Sequence, residues 1–264
     1  SPGLFTQGIL AYYSPMFAAG TTIAASEANA DYPVTNLLCA RQSTVYRSVD
    51  AGNAVTITGT WPRPVPLVGF SIHNHNLSSA ATITVAMHTA DSWGSPAFGA
   101  EAVTFNPTDI YHLHARPQQY GFWRLSVTDT ANADGYIRLG NAIPWVAVEV
   151  HRPTDYDAEA YPMSDPSTAV ELLHGHRVGR DLAVSTDGQF SWPGLKRAHA
   201  LDLKRIIRIV GGGSPVWVCS DPRRALYSRS IYGAALESLP AASLADPGWD
   251  REHMTGLYIA ADRS

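Results

Sequence analysis

Three pairs of histidines, each separated by one residue, are the most obvious candidates for chemistry in this sequence. The pairs are His73 and His75, His112 and His114, and His174 and His176. On a strand this spacing points both rings to the same face, which is a geometry that metal ions use. No carboxylate or cysteine lies at a companion spacing, however, and no His-Glu-x-x-His segment is present. We therefore interpret these histidines, together with His88, as turn and surface residues, and we predict no metal site and no cofactor.

Residues for nucleophilic or acid–base catalysis do not form a recognisable motif either. The sequence has no Gly-x-Ser-x-Gly turn. Pro215 follows Ser214 and removes a backbone N–H that an oxyanion hole would need. The glycines at 211–213 lack the Lys-Ser/Thr of a phosphate loop, and the acidic segment 155–159 fits a linker better than a glycosidase carboxylate pair. The sequence therefore predicts a protein that is not an enzyme.

Composition and charge argue against several other classes of function. Charged residues make up 16% of the chain, against about 25% in an average soluble domain. Such a low charge suggests that part of the surface is buried against partners. The net charge is −4 and no block of basic residues is present, so we expect no binding to nucleic acid. No apolar run is long enough to span a membrane, and the start lacks the pattern of a secretory signal. We therefore expect synthesis in a cytoplasm and no membrane insertion.

The two cysteines, Cys39 and Cys219, lie far apart in the sequence. Zinc and iron–sulfur sites need several closely spaced ligands, so these residues do not predict one. Two separate buried thiols are the simpler interpretation, and the sequence leaves a bond between them open.

Short segments with alternating polarity dominate the first 150 residues. Six are predicted as strands, over 54–61, 67–73, 81–87, 122–128, 136–140 and 146–150. Turn sequences such as Asn132-Ala-Asp-Gly135 separate them. Short strands joined by tight turns are typical of antiparallel sandwiches. We predict an all-β, mainly antiparallel fold.

The sequence changes character after residue 150. Residues 151–168 form an acidic, proline-containing connector. Beyond it we predict strands at 181–185, 188–192, 214–219 and 256–260, a helix over 202–210, and a loop or short helix over 233–246. The predicted organisation is a β-sandwich over 1–150, the connector, and a smaller β-rich assembly domain over 169–264.

Several segments of the first half also resemble a known family. They are Tyr32-Pro-Val-Thr-Asn-Leu-Leu38, Val45-Tyr-Arg-Ser48, Val68-Gly-Phe-Ser-Ile-His-Asn-His-Asn-Leu77, Phe122-Trp-Arg-Leu125 and Asp134-Gly-Tyr-Ile-Arg-Leu-Gly140. Over roughly residues 20–150 they resemble the galactose-binding-like (discoidin-like) module of tail tip and baseplate proteins of long-tailed bacteriophages. A weaker resemblance continues at Gly179-Arg-Asp-Leu-Ala183, Phe190-Ser-Trp192 and Gly212-Gly-Ser-Pro-Val-Trp217.

This resemblance implies a galactose-binding-like jelly-roll sandwich with a structural role in a virion. The protein would assemble as part of a ring around the tail axis. Its partners would be copies of itself and the tube, hub and fibre proteins of the tail.

Within the matching segments we predict a structural clasp that closes the sandwich, formed by Asn36, Leu37, Leu38, Trp123, Arg124 and Asp129. Asn36 would satisfy loop backbone groups while the two leucines fill the end of the sandwich. Arg124 would bond loop carbonyls or an acid such as Asp129 or Asp50. The asparagines on either side of His75 would cap the turn there.

Carbohydrate binding is the alternative function that the sequence leaves open. Sandwiches of this kind bind glycans through loop aromatics, and the candidates are Tyr46, Trp61 and Trp93. Trp93 lies in the turn-rich segment Asp91-Ser-Trp-Gly-Ser-Pro96, where an exposed ring would need a partner. That partner is either a host surface glycan or another subunit. The connector and the second domain favour the subunit.

Overall fold

The computed structural model describes two long stretches of the chain and several shorter ones. They are residues 8–50, 54–150, 163–164, 168–171, 177–180, 185–196, 201, 205–206, 215–219, 222, 230–233, 241–244 and 251–261. They divide into two compact units, one over Tyr13–Val148 and the other over residues 8–12 and the described residues from 149 onward. Within the described part, no helix has the length and apolar character needed to cross a membrane. Both cysteines are present as thiols.

The described residues of the first unit form ten short strands and two 3-10 helices. The helices are Pro15–Phe17 and Val34–Leu38, and the strands are β2 (Thr22–Ala25), β3 (Tyr46–Arg47), β4 (Val55–Thr60), β5 (Leu67–His73), β6 (Thr82–His88), β7 (Phe98–Val103), β8 (Ile110–Gln118), β9 (Phe122–Thr128), β10 (Arg138–Leu139) and β11 (Asn141–Val150). The predicted all-β class is confirmed. The segment predicted at 136–140 is reduced to β10, and the one at 146–150 is the end of the longer β11.

Residue alternation explains how these strands bury one face. On β4, Val55 and Ile57 are fully buried while the intervening threonines are half-buried. This period of two is what a strand needs when only one face meets the core. On β5 every residue is buried, in agreement with its nearly continuous apolar sequence. Three prolines, at 62, 64 and 66, precede β5 and therefore interrupt none of its hydrogen bonds.

Eight of these ten strands lie in two larger antiparallel sheets, and β3 pairs with β10. The first has five strands in the order β2-β4-β9-β6-β7, and in the second β11, β5 and β8 are neighbours in that order. Between them lies the core, where the Trp123 ring from β9 is 5.9 Å from the Phe70 ring from β5. Trp61 stacks on Trp123 with ring centroids 6.1 Å apart. This packing of one sheet on the other confirms the predicted sandwich.

Asparagine side chains hold the loops at one end of this sandwich. Asn76 donates to the Tyr136 carbonyl at 2.9 Å and accepts from the Arg138 N–H at 2.7 Å. Asn74 has a positive φ of 48°, a conformation that asparagine tolerates better than most residues, and it donates to the Gln42 carbonyl at 2.8 Å. The sequence predicts that these two asparagines cap the turn at His75, whereas in the structure their side chains bond backbone groups of other loops, 32 to 62 residues away in the sequence.

The second unit is also made of antiparallel strands. They are β1 (Gly8–Tyr13), β12 (Met163–Ser164), β13 (Thr168–Glu171), β14 (Arg177–Arg180), β15 (Ser185–Lys196), β16 (Val216–Cys219), β17 (Ser230–Gly233), β18 (Ala241–Leu244) and β19 (Arg251–Ala261). β16 pairs with β1 and β17, and β13 pairs with β14. A further sheet has the order β12-β15-β19-β18. This unit is β-rich, as predicted.

One prediction for the second unit is wrong, and two others fall on segments that lie mostly outside the described residues. β18 forms a strand inside the segment 233–246, where the sequence predicts a loop or short helix. Its alanines and leucine have weak strand propensity, and pairing with β19 overrides that preference. The predicted helix over 202–210 and the predicted strand over 181–185 lie mostly outside the described residues. Of the helix, Arg205 and Ile206 are described and are helical.

A glycine in β4 makes room for the central tryptophan of the core. A Cβ atom at Gly59 would collide with the indole of Trp123, whose nearest atom is Nε1. Trp123 is 1% exposed and packs against two other aromatic rings, so its indole has no free space to move into. Gly99, in β7, serves as a matched comparison, because no atom lies within 4 Å of the position that a Cβ would occupy there.

We expect Gly59→Ala to destabilise the protein by about 1–3 kcal/mol, the usual cost of overpacking a core. Gly99→Ala should change the stability by less than about 0.5 kcal/mol, as surface substitutions usually do. Urea denaturation followed by tryptophan fluorescence measures both. Equal effects of the two substitutions would contradict this packing.

Candidate functional site

The outward face of the five-stranded sheet carries the candidate site. On β9 the buried residues Trp123 and Leu125 alternate with half-buried Phe122 and Arg124, which point away from the core. β4 and β6 flank β9, and pairing places Thr58 and Ala86 directly opposite Arg124. An arginine therefore lies in the middle of a row of small side chains, where it can support a residue lying above the sheet.

The residue above the sheet is Trp93, which comes from the loop between β6 and β7. The Arg124 guanidinium lies 5.0 Å from the centroid of the Trp93 ring, within the range of a cation–π contact. The Trp93 indole N–H donates to Asp91 Oδ1 at 2.7 Å. Two contacts thus fix the ring, and it remains partly exposed.

A shallow cleft of about 180 Å³ lies beside this loop. It is lined by Thr22, Ile23, Ala24, Thr58, Gly59, Thr60, Asp91 and Phe122. Asp91 connects the cleft to Trp93. It lines the cleft, and one of its carboxylate oxygens accepts the hydrogen bond from the Trp93 indole. We call Asp91, Trp93, Phe122, Arg124 and the cleft the Trp93 site. It combines aromatic rings, a carboxylate, a guanidinium and threonine hydroxyls.

The role predicted for Arg124 needs a correction. Within the part of the chain that the structure describes, Arg124 forms no ion pair with Asp129 or Asp50. Asp129 instead accepts hydrogen bonds from the Ser78 N–H and hydroxyl, both at 2.6 Å. The reason is the pleat of β9, because Arg124 points outward while the fully buried Asp129 follows the strand at the loop end.

Three other members of the predicted clasp, Asn36, Leu37 and Leu38, lie in the 3-10 helix Val34–Leu38, whereas Trp123 lies in the core between the two sheets. Asn36 donates to the Val45 carbonyl at 2.8 Å. Leu37 is completely buried, and Leu38 packs against the core from the side.

A stacked arginine lies close to these residues. The Arg47 guanidinium contacts two rings, 3.9 Å from the centroid of Tyr32 and 5.0 Å from that of Tyr136. All three residues lie in the segments that carry the resemblance, but the sequence pattern alone does not single out the contact between them.

Two of the three aromatic residues considered as glycan or partner contacts are part of the core, which corrects that assignment. Tyr46 is 0% exposed and its hydroxyl donates to the Glu27 carbonyl at 2.7 Å. Burial, with a smaller effect of Glu27, raises the pKa of that hydroxyl. Trp61 is 4% exposed and donates to the Tyr120 carbonyl at 2.6 Å. Neither ring offers a face to a ligand, so Trp93 is the remaining candidate.

The interpretation of the histidines as turn and surface residues is wrong for three of them. His73 and His114 are fully buried, and His75 is 9% exposed. His174 and His176 lie outside the described residues.

A companion carboxylate for one histidine pair also exists. Glu101 on β7 contacts both His112 and His114 on β8. Burial raises the pKa of Glu101, but its contacts with the two rings outweigh this and lower it to about 2. Nothing local in the sequence indicates this contact, since the sequence predicts neither β7 nor β8 as a strand.

A second buried histidine cluster has the chemical types of a catalytic triad but lacks access. His73 Nε2 lies 2.8 Å from the Ser71 hydroxyl, and His73 Nδ1 lies 3.1 Å from Asp109 Oδ1. Ser71 is 0% exposed, and its oxygen also accepts from the Trp145 indole at 2.7 Å. A substrate cannot reach a hydroxyl in this position. The cluster instead supplies partners for polar atoms inside the core, where an unpaired polar group is costly.

Comparisons with known proteins give matches in structure but not in sequence. No family model and no curated protein matches the chain. Similar solved structures include a family 32 carbohydrate-binding module of Clostridium perfringens NanJ in complex with galactose. That match has 9% identity and a TM-score of 0.41, and it covers 52% of this chain and 99% of that one.

Two further structures show how varied these matches are. A Ruminococcus gnavus GH29 fucosidase in complex with fucose has 12% identity and a TM-score of 0.44 and covers 52% of this chain and 27% of that one. XRCC1 bound to the DNA polymerase beta catalytic domain has 13% identity and a TM-score of 0.36 and covers 46% of this chain and 91% of that one. At such identities and scores none of these likenesses carries an argument about function. None of the three is a tail protein, so the resemblance to that family rests on the sequence motifs.

The two hydrogen bonds of His75 require one ring nitrogen to accept and the other to donate, as in the neutral imidazole. Its Nδ1 accepts from the Leu77 N–H at 3.2 Å, and its Nε2 lies 3.1 Å from the Asn106 carbonyl, to which it donates. Burial lowers the pKa of His75 below its usual value, against smaller opposing effects of the Asn106 carbonyl and Asp109. A proton on Nδ1 would also break the bond from Leu77.

We therefore expect the protein to lose stability as the pH falls below about 6.5, where histidine in the unfolded chain takes up a proton. A single histidine that stays neutral in the fold contributes a slope of up to about 1.4 kcal/mol per pH unit. Urea denaturation between pH 7.5 and 5 measures that slope, which should be smaller in His75→Gln. An unchanged slope in this variant, whatever its absolute stability, would contradict a lowered pKa of His75 in the fold.

Proposed function

We propose that this protein is a non-catalytic recognition module that binds carbohydrate at the Trp93 site. The observation that carries the proposal is a partly exposed tryptophan that contacts the Arg124 guanidinium and the Asp91 carboxylate and lies beside a cleft lined by hydroxyl and carboxylate groups. Sugar rings present an apolar face of C–H groups and a rim of hydroxyls. An aromatic ring suits the face, and polar side chains suit the rim.

The two contacts of Trp93 support this function because they lower the cost of binding. A loop tryptophan that is free to rotate loses that freedom when a ligand binds, whereas a fixed ring does not. Asp91 holds the indole N–H at 2.7 Å, and Arg124 lies against the ring at 5.0 Å. The second carboxylate oxygen of Asp91 and the hydroxyls of Thr58 and Thr60 in the cleft wall are groups of the kind that bond sugar hydroxyls.

The substitution Trp93→Ala should abolish binding to the recognised glycan or weaken it at least tenfold, because it removes the stacking surface. Trp93→Phe should retain part of the affinity, since it keeps an aromatic face but loses the bond to Asp91. A glycan array identifies the ligand, and calorimetry with that ligand ranks the variants.

The control for this experiment is Val49→Ala. Val49 is 64% exposed, and it belongs neither to the lining of the cleft nor to the contacts that hold Trp93. Its truncation should therefore leave binding unchanged. If the wild-type protein binds no glycan, or if Trp93→Ala binds as tightly as Val49→Ala, the carbohydrate proposal is wrong.

A second candidate function is that of a structural protein in the tail tip or baseplate of a long-tailed phage. The specific observation in its favour is that three of the segments carrying the resemblance meet at one stacked arginine, with Arg47 against Tyr32 and Tyr136. The low charge of the chain fits burial in an assembly. In this function the partners are copies of the chain and the tube, hub or fibre proteins, and the location is the virion.

For the second candidate we expect the purified full chain to form closed oligomers at micromolar concentration and to occur in tails of phage particles. Analytical ultracentrifugation tests the first point, and antibody labelling of particles in the electron microscope tests the second. A chain that stays monomeric up to about 100 µM and is absent from particles would exclude the tail function, without affecting the carbohydrate proposal.

A further inference from the structure

The edges of the two sheets meet at a cluster of three metal-ligating side chains. Glu101 comes from β7, the outer strand of the five-stranded sheet, and His112 and His114 come from β8, which pairs with β5 in the other sheet. The two histidines are two residues apart on one strand, so they point to the same side of β8. Their rings lie 5.4 Å apart in an edge-to-face arrangement.

The distances within the cluster bring all three donor atoms to one point. Glu101 Oε2 lies 2.6 Å from His114 Nδ1 and 2.9 Å from His112 Nε2. All the ligand atoms lie within 4.8 Å of one another. His114 is completely buried, while the side chains of His112 and Glu101 are 13% and 27% exposed. The cluster is thus closed on the side of the core and open to solvent on the other.

Hydrogen bonds between the three side chains do not account for the whole arrangement. His114 Nδ1 makes a hydrogen bond with the carboxylate. His112 Nε2 lies 2.9 Å from the same oxygen, but the geometry does not fit a hydrogen bond. No other described residue forms a hydrogen bond with this buried nitrogen. Buried polar atoms normally have a partner. Two imidazole nitrogens that converge on one carboxylate oxygen are also the arrangement that three ligands of one cation would show.

We propose that Glu101, His112 and His114 bind a divalent transition-metal ion, with zinc as the natural candidate. Two imidazoles and one carboxylate form a common ligand set for Zn²⁺, with bonds of about 2.0–2.2 Å. In a tetrahedral site with such bonds, neighbouring ligand atoms lie about 3.3 Å apart. The nitrogens of His114 and His112, now 2.6 and 2.9 Å from the Glu101 oxygen, would have to move away from it by about 0.7 and 0.4 Å. Water would complete the coordination from the solvent side.

The metal would act as a clamp between the two sheets. The Phe98 ring covers His114 with ring centroids 5.3 Å apart, which fixes the buried ligand. β7 and β8 belong to different sheets, so the metal would connect two described strands that are not neighbours in either. Because a bound ion stabilises the state that binds it, the ion would raise the stability of the whole sandwich. This inference is independent of the Trp93 site.

The test uses the full chain without a polyhistidine tag, stripped of metal with a chelator and titrated with Zn²⁺ in a calorimeter. We expect one tight equivalent of zinc per chain and a rise in the melting temperature when zinc is added. Glu101→Gln and His112→Gln should each bind zinc at least tenfold more weakly and lose the rise in melting temperature. The double variant His174→Gln/His176→Gln removes a pair with the same spacing and should bind like the wild type.

Several results would overturn the proposal. The proposal is wrong if the wild type binds no zinc at 100 µM, or if the variants of Glu101 and His112 bind zinc with unchanged affinity. It is also wrong if only the His174/His176 control variant loses zinc binding. Circular dichroism of the metal-free variants verifies that they fold. If they do not fold, histidine modification of the wild type with diethyl pyrocarbonate decides the question. Zinc should protect His112 from the reagent, and equal labelling with and without zinc would contradict the site.

Discussion

The in–out alternation of β9 is the constraint on which the rest of the first unit depends. Because neighbouring residues on a strand point to opposite faces, Trp123 must enter the core if Arg124 is to face outward. Trp123 then contacts Trp61 and Phe70 and joins the two sheets. Gly59 on β4 provides the space for its indole. A shift of β9 by one residue would bury the guanidinium and expose the indole, so the core and the outer site are fixed by the same register.

The outer face of the sheet shows how a rigid scaffold positions a loop residue. Arg124 is anchored by strands on both sides, and its head group lies against the Trp93 ring. In the loop that carries Trp93, Asp91 supplies a second contact by accepting a hydrogen bond from the indole. The loop end of the sandwich is held together differently. Its backbone groups bond asparagine amides and the buried carboxylate of Asp129, where strands would bond backbone to backbone. The two regions therefore have different tasks, with the loop end closing the fold and the sheet face presenting a surface.

Much of the fold could be predicted because its strongest signals are local. The alternation in β4, the continuous apolar run of β5 and the aromatic pattern of β9 each predict a strand without tertiary information. Asn74 and Asn76 are also identifiable as residues that bond backbone groups, but their partners lie 32 to 62 residues away and only the fold brings them together. β18 could not be predicted, because its sequence prefers other states and only its partner strand makes it extended. The sites were harder to predict because they depend on which strands become neighbours. Only the approach of β7 to β8 brings Glu101 to the histidine pair. Nothing local shows that the ring of Tyr46 turns inward, whereas Trp61 continues the buried alternation of β4.

The indole N–H resonance of Trp93 shows whether this residue contacts a carbohydrate ligand. The chain has seven tryptophans, and the Trp93→Phe variant assigns the resonance that belongs to Trp93. During titration with the glycan that binds best, we predict that the Trp93 indole signal shifts progressively to saturation, while those of the buried Trp61, Trp123 and Trp145 stay in place. A glycan that binds without moving the Trp93 signal, or that moves the signals of other tryptophans instead, would contradict carbohydrate contact at this site.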